Sequence, residues 1–195
     1  CARSERKRAM SRAFEEDLIR HCAATLAGHK CASLFSCRAP SQKWLKDNLD
    51  SANAALSGKG LRACLLRNCE RGALVYVYRV GALEKKLAEP AVRAFLTGYG
   101  YEDFSIESAL GTLARHMICG ESFPHEIGVF LDYPLADVAA FIENEGRNCR
   151  CVGCWKAYSN IDEARRLFAL YRKCRDVYMA CYQRGFGVAR LTVAA

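Results

Sequence analysis

Residues 148–158 read NCRCVGCWKAY. Cys149, Cys151 and Cys154 fall within six residues, and a tryptophan follows at once. A CxxC pair is the usual half of a tetrahedral thiolate site, because two intervening residues let both sulfurs reach one ion. Zinc or iron held by Cys149, Cys151 and Cys154 would need a fourth ligand from elsewhere; His21, His29, Cys31 and His125 are the candidates. An iron–sulfur cluster has the same requirement. On a strand, Cys149 and Cys151 share a face, and a turn through Val152 and Gly153 would bring Cys154 back towards them. Thiol redox is a second chemistry. Redox CxxC pairs sit at helix N-termini, where the dipole lowers the thiol pKa, whereas residues 155–158 read as extended. Arg147, Arg150 and Lys156 would still favour a thiolate, and equally an anionic ligand. The third reading is structural: cysteine packs as a small core residue.

His125 and Glu126, behind Pro124, form the other candidate constellation. Such a pair can do acid–base work or bind a metal. Adjacent helical residues diverge by about 100°, so the pair does not converge on one atom as HExxH does. A capping pair in a packed loop is the bland alternative. His116 sits near a helix end, where a protonated imidazole suits the dipole. The nucleophile elbow GxSxG, the phosphate loop GxxxxGK[ST] and the dinucleotide motif GxGxxG do not occur. The stretch RGFGVAR over 184–190 carries glycines but follows a helix instead of opening one.

Charge supplies a further candidate. Of the net +8, residues 1–12 carry five basic and one acidic residue, and residues 147–195 carry ten basic and three acidic. Residues 13–146 are slightly acidic, with 14 basic and 17 acidic. Arg165, Arg166, Arg172, Lys173 and Arg175 concentrate positive charge on one helix and could bind anions. An acidic protein or nucleic acid is the partner such a patch would take. The alternative is a solvated surface.

The elements that carry these residues follow from periodicity and punctuation. Ser11 can cap a helix over 11–27, with Phe14, Leu18, Cys22 and Leu26 at helical spacing and Gly28 as the stop. Residues 33–37 are short and extended. Helix resumes over 42–56, ended by Gly58 and Gly60. LRACLLR and ALVYVYR, five residues apart, read as a hairpin. Helices are expected over 83–88, 90–96 and 105–118. Two short ones break at Pro134 and stop at Gly146. The cysteine run is a strand or ribbon. The longest helix covers 161–184, with its stripe through Ile161, Ala164, Leu167, Phe168, Tyr171, Cys174, Tyr178 and Cys181. Residues 186–193 read as loop or weak strand. Few strands, not alternating strictly with helices, predict an α+β fold. The sheet is expected to be small, mixed or antiparallel, of about four strands, covered by helices and followed by a long C-terminal helix. A doubly wound nucleotide fold is excluded by the same order.

At 195 residues the expectation is a single domain over 1–195, with residues 1–10 a flexible basic segment. No apolar run reaches the roughly 18 residues of a membrane span, and CARSERKRAM is no secretory signal. A chain starting at Cys1 reads as trimmed or incomplete; a mature lipoprotein also starts with cysteine. The 12 cysteines have irregular spacing in a chain long for a disulfide scaffold. The expectation is a reducing cytoplasm with mostly free thiols.

FPHEIGVFLDYPLADVAAFIENEGRNCRCVGCWKAYSN, over 123–160, resembles the bacterial domain of unknown function 3793 family. HCAATLAG with SLF resembles its opening motif, ALVYVYR its central strand, and WKAYSN with the long helix its end. Asp132 stands where the family pattern has glycine, Ala24 where it has proline and Ala157 where it has valine. The resemblance spans nearly the whole chain and brings no catalytic residue with it. It implies a cytoplasmic protein of anaerobic bacteria, mostly Firmicutes, and an association with iron uptake and redox proteins. The leading reading is therefore a non-enzymatic, cysteine-rich protein that binds zinc or iron or serves metal and redox homeostasis. An anion- or nucleic-acid-binding adaptor is the first alternative. An enzyme using His125 and Glu126 beside a thiol is the second.

Overall fold

Local signals set most of the elements in the computed structural model, which describes residues 10–70, 72–117 and 123–194. Helix α1 (Arg12–Leu26) starts where the Ser11 hydroxyl accepts the Phe14 N–H at 3.4 Å, and it buries Phe14, Leu18, Cys22 and Leu26. Strand β1 (Ala32–Cys37) leads to α2 (Gln42–Leu56), capped by Ser41, which accepts from Trp44 N at 3.1 Å. A 3-10 turn and Gly60, at φ 76°, turn the chain into β2 (Leu61–Cys69). Antiparallel β3 (Gly72–Arg79) follows, and it also pairs antiparallel with β1, giving the order β1-β3-β2.

Central β3 is buried on both faces. Ala73, Val75 and Val77 join Phe14, Leu18 and Leu56 beneath α1 and α2. Leu74, Tyr76 and Tyr78 join a second core. That core is built by α3 (Val80–Ala88), α4 (Pro90–Thr97), α5 (Ile106–His116), α6 (Ile127–Phe130) and α7 (Leu135–Glu143). The period-two alternation of a strand thus feeds two cores. The buried Tyr76 hydroxyl donates to Phe130 O at 2.6 Å.

The cysteine run forms a two-stranded antiparallel ribbon, β4 (Cys151–Val152) with β5 (Lys156–Ala157). Helix α8 (Ile161–Gln183) then lies against α1, where Ala23, Ala24 and Cys174 pack together. Arg79 fastens the end of α1: its guanidinium donates to Thr25 O at 2.7 Å, and to Leu26 O and Val193 O at 2.9 Å each. A cation there also suits the helix dipole. Among the described residues no helix is long and apolar enough to cross a membrane.

The α+β expectation holds, and every strand pairing among the described residues is antiparallel. The strands divide into a three-stranded sheet and the separate ribbon, not one sheet of about four. The tail is also corrected. Val188–Leu191 is a helical turn, α9, whose first N–H donates to the Glu15 carboxylate of α1 at 2.8 Å. The expected flexible segment over 1–10 lies outside the described residues apart from Met10, which packs against the α1–α2 core. The expected helix end at Ile118 lies outside them too.

Candidate functional site

The ribbon is anchored by a carboxylate. Asp137 of α7, 2% exposed, accepts from Trp155 Nε1 at 2.8 Å and Tyr158 N at 3.0 Å. It also accepts from Ser159 N and Ser159 Oγ at 2.8 Å each. Burial pushes this carboxyl up, but the hydrogen bonds together outweigh it and hold the group below its ordinary range. Trp155 stacks on Tyr133 at 5.1 Å and meets Phe168 edge-on at 4.5 Å. Gly153 lies flat on that same phenyl ring: a Cβ there would be 2.2 Å from Phe168 Cδ2. The turn closes with Gly153 N donating to Trp155 O at 3.0 Å, which leaves Cys154 exposed at its tip.

This turn forms one wall of a cavity of about 280 Å³. Helical spacing on α8 puts Phe168, Tyr171, Arg172 and Arg175 along one stripe facing it, and α1 contributes Arg20 and His21. Lys30 comes from the loop ahead of β1, Ser33 from the start of β1 and Cys154 from the ribbon tip. Among the described residues the lining holds four Lys or Arg side chains and no carboxylate.

Lys30 is the unusual member. Its ammonium lies 5.2 Å from the centroid of Tyr133 and 5.7 Å from that of Tyr171. Among the described residues it makes no hydrogen bond and no ion pair. Burial lowers its amine pKa; the neighbouring Cys154, Cys22, Asp132 and Cys31 pull the other way. Asp132 is engaged elsewhere: it accepts from Cys31 N at 3.2 Å and faces Lys86 Nζ at 3.4 Å. Its φ of 63° lies in the left-handed region that glycine adopts most readily. Arg172 also lacks a carboxylate partner among the described residues, whereas Arg20 pairs with Glu16 and Arg175 with Asp176. His21 stacks on Phe35 at 5.8 Å, and partial burial lowers its pKa.

The cysteine run divides differently from a ligand clip. Asn148, at φ 59°, turns the chain ahead of the ribbon, so Cys149 precedes β4 instead of sharing a strand face with Cys151. Cys149 lies within electrostatic reach of Tyr158. Cys151 packs on the cluster of Trp155 and Phe168, and Cys154 enters the basic cavity. Among the described residues no group of three or more His, Cys, Asp or Glu side chains is placed to hold a metal ion. His29 is exposed, and Cys31 is buried, its thiol pushed up to about 12 chiefly by burial.

His125 and Glu126 separate. Glu126, 3% exposed, meets His116 Nδ1 at 2.7 Å and accepts from the Tyr101 hydroxyl at 3.4 Å. His125 meets Phe141 edge-on at 5.0 Å and lines a second, largely apolar cavity of about 360 Å³ with Val152 and Trp155. Of the basic residues on α8, only Arg172 and Arg175 reach the first cavity. Arg166 forms a two-pronged pair with Glu163, and Arg165 and Lys173 are exposed. Sequence reasoning missed Lys30, Arg20 and Asp137. Lys30 sits in a short GHK loop without periodicity, and Asp137 was legible only as part of the YPLADV motif.

No curated protein and no solved structure matches the chain. Residues 18–192 match the model of the family described as Protein of unknown function (DUF3793), and the chain belongs to that family.

Proposed function

We propose that the protein binds a small anionic molecule in the cavity between α1, α8 and the ribbon turn. Lys30 carries this reading: a largely buried ammonium with no ion pair among the described residues, held between two tyrosine rings. An ammonium removed from water is costly unless it is paired. Around it stand Arg20, Arg172 and Arg175, with no carboxylate in the lining among the described residues. A unit anion about 4 Å from one such charge is attracted by about 4 kcal/mol at an effective dielectric near 20. The volume of about 280 Å³ suits a compact phosphate, sulfate or carboxylate compound. It does not suit a duplex, and Arg165 and Lys173 stand apart from it. The zinc or iron reading asks Cys149, Cys151 and Cys154 to converge, whereas the anion reading needs only Cys154 nearby.

The test is calorimetric titration of pyrophosphate, inorganic phosphate and citrate at fixed ionic strength. The expected result is binding at one site per chain, weakened by added salt and by Arg172→Ala. Absence of heat with all three anions overturns the reading.

A further inference from the structure

We propose that Cys154 is a thiol-exchange site for small disulfides bearing carboxylates, whose charge the basic cavity holds while the ribbon tip presents the sulfur. The inference rests on the anion reading and adds a reaction to it.

Two observations point the same way. Nine free cysteines occur among the described residues, and Cys154 is the exposed one. Cys22, Cys31, Cys37 and Cys174 are buried, and burial raises the pKa of each, as it does for partly buried Cys64. Independently, Lys30 aims an unpartnered ammonium into the cavity that Cys154 borders. A disulfide with a carboxylate on one arm can set that carboxylate against Lys30 and Arg172 and its sulfur beside Cys154. The tip is held still while this happens: the Tyr133 hydroxyl donates to Cys154 O at 3.0 Å, and Gly153 is seated on Phe168.

The step balances. Cys154 gives its proton to water and attacks one sulfur of the disulfide. A bond forms between Cys154 Sγ and that sulfur as the S–S bond breaks. The departing thiolate leaves with the electron pair and takes up a proton. The Cys154 sulfur is oxidised, and half of the small disulfide is reduced to a free thiol.

The test compares two reagents on the fully reduced chain at low salt: the dianionic dithiobis-nitrobenzoate and the neutral dithiodipyridine. The expected result is a fast phase with the anionic reagent, mapped to Cys154 by peptide mass and absent from Cys154→Ser. Lys30→Met and Arg172→Ala should each slow it about tenfold, as loss of one charge-assisted contact implies. Neither should slow the neutral reagent. Arg172 is exposed, so its substitution leaves the fold intact. The inference is overturned if the fast phase survives in Cys154→Ser, or if both reagents respond equally to the charge variants. Pyrophosphate titration of the same samples separates the failures. Binding without Cys154 selectivity sinks the exchange site alone; no binding and no selectivity sinks the cavity reading with it.

Discussion

Lys30→Met should make the protein more stable and weaken its response to anions. Methionine keeps the length and the apolar stem and removes the charge. In the wild type the ammonium lies 5.2 and 5.7 Å from two tyrosine centroids. Two such contacts return about 1–2 kcal/mol together. Withdrawing an ammonium from water costs several kcal/mol. The balance favours methionine by about 1 kcal/mol, a rise in Tm of about 2–4 °C for a chain of this size. The sign follows from linkage. The Lys30 pKa is lowered in the fold from its ordinary 10.5, chiefly by burial, so the unfolded chain holds that proton more tightly. Stability therefore rises with pH between the lowered value and 10.5. The advantage of the variant is full below the lowered value and fades as pH approaches 10.5. Binding moves the opposite way. Loss of a charge-assisted contact removes about 1.5–3 kcal/mol, which weakens pyrophosphate about 10- to 150-fold. Scanning calorimetry with a pyrophosphate series reads both effects. At 100 times its Kd the ligand should stabilise the wild type by about 2.7 kcal/mol, and the same concentration should stabilise the variant by only about 0.3–1.4 kcal/mol. A variant that melts lower than wild type without anion, and gains as much from pyrophosphate, refutes the reasoning.

Asp137→Asn should cost about 3 kcal/mol, since an amide cannot accept from Trp155, Tyr158 and Ser159 at once. The wild-type carboxyl is held below its ordinary 3.8, so this advantage is present above pH 3.8 and is lost as pH falls through the lowered value; acid titration of both proteins checks it. Gly153→Ala drives a methyl into the Phe168 ring and should cost about 2 kcal/mol, lowering Tm by about 4–8 °C and weakening pyrophosphate in calorimetry. Arg79→Met removes three hydrogen bonds to backbone carbonyls at the end of α1 and near the C-terminus, so denaturant midpoints should fall by the equivalent of about 2–4 kcal/mol.

Elements with local causes were legible. The caps at Ser11 and Ser41, the helical spacing of Phe14, Leu18 and Cys22, and the LRACLLR–ALVYVYR hairpin each act within a few residues. The α9 turn was not, because the Glu15 carboxylate that caps Val188 is 173 residues away. The site was legible in part. Basic residues on α8 stood out, yet which of them matter depends on where α1 crosses. Arg172 and Arg175 flank half-buried Tyr171 and buried Cys174, while Arg166 turns to Glu163. Cys154 was singled out as a ligand beside Cys149 and Cys151. Its separation from them follows from Asn148 turning the chain before the ribbon and from Asp137 holding the far side. Nothing in a GHK loop marks Lys30 as the floor of a cavity, because its setting comes from Tyr133 and Tyr171, each more than 100 residues distant.

The most direct measurement is an NMR pH titration of the lysine side chains, with and without pyrophosphate, Lys30 being assigned through Lys30→Met. Without anion, one lysine amine, Lys30, should titrate below its ordinary value; with pyrophosphate it should titrate higher, because an anion beside the ammonium favours the charged form. A Lys30 amine that titrates with the surface lysines and ignores pyrophosphate would contradict an anion site in this cavity.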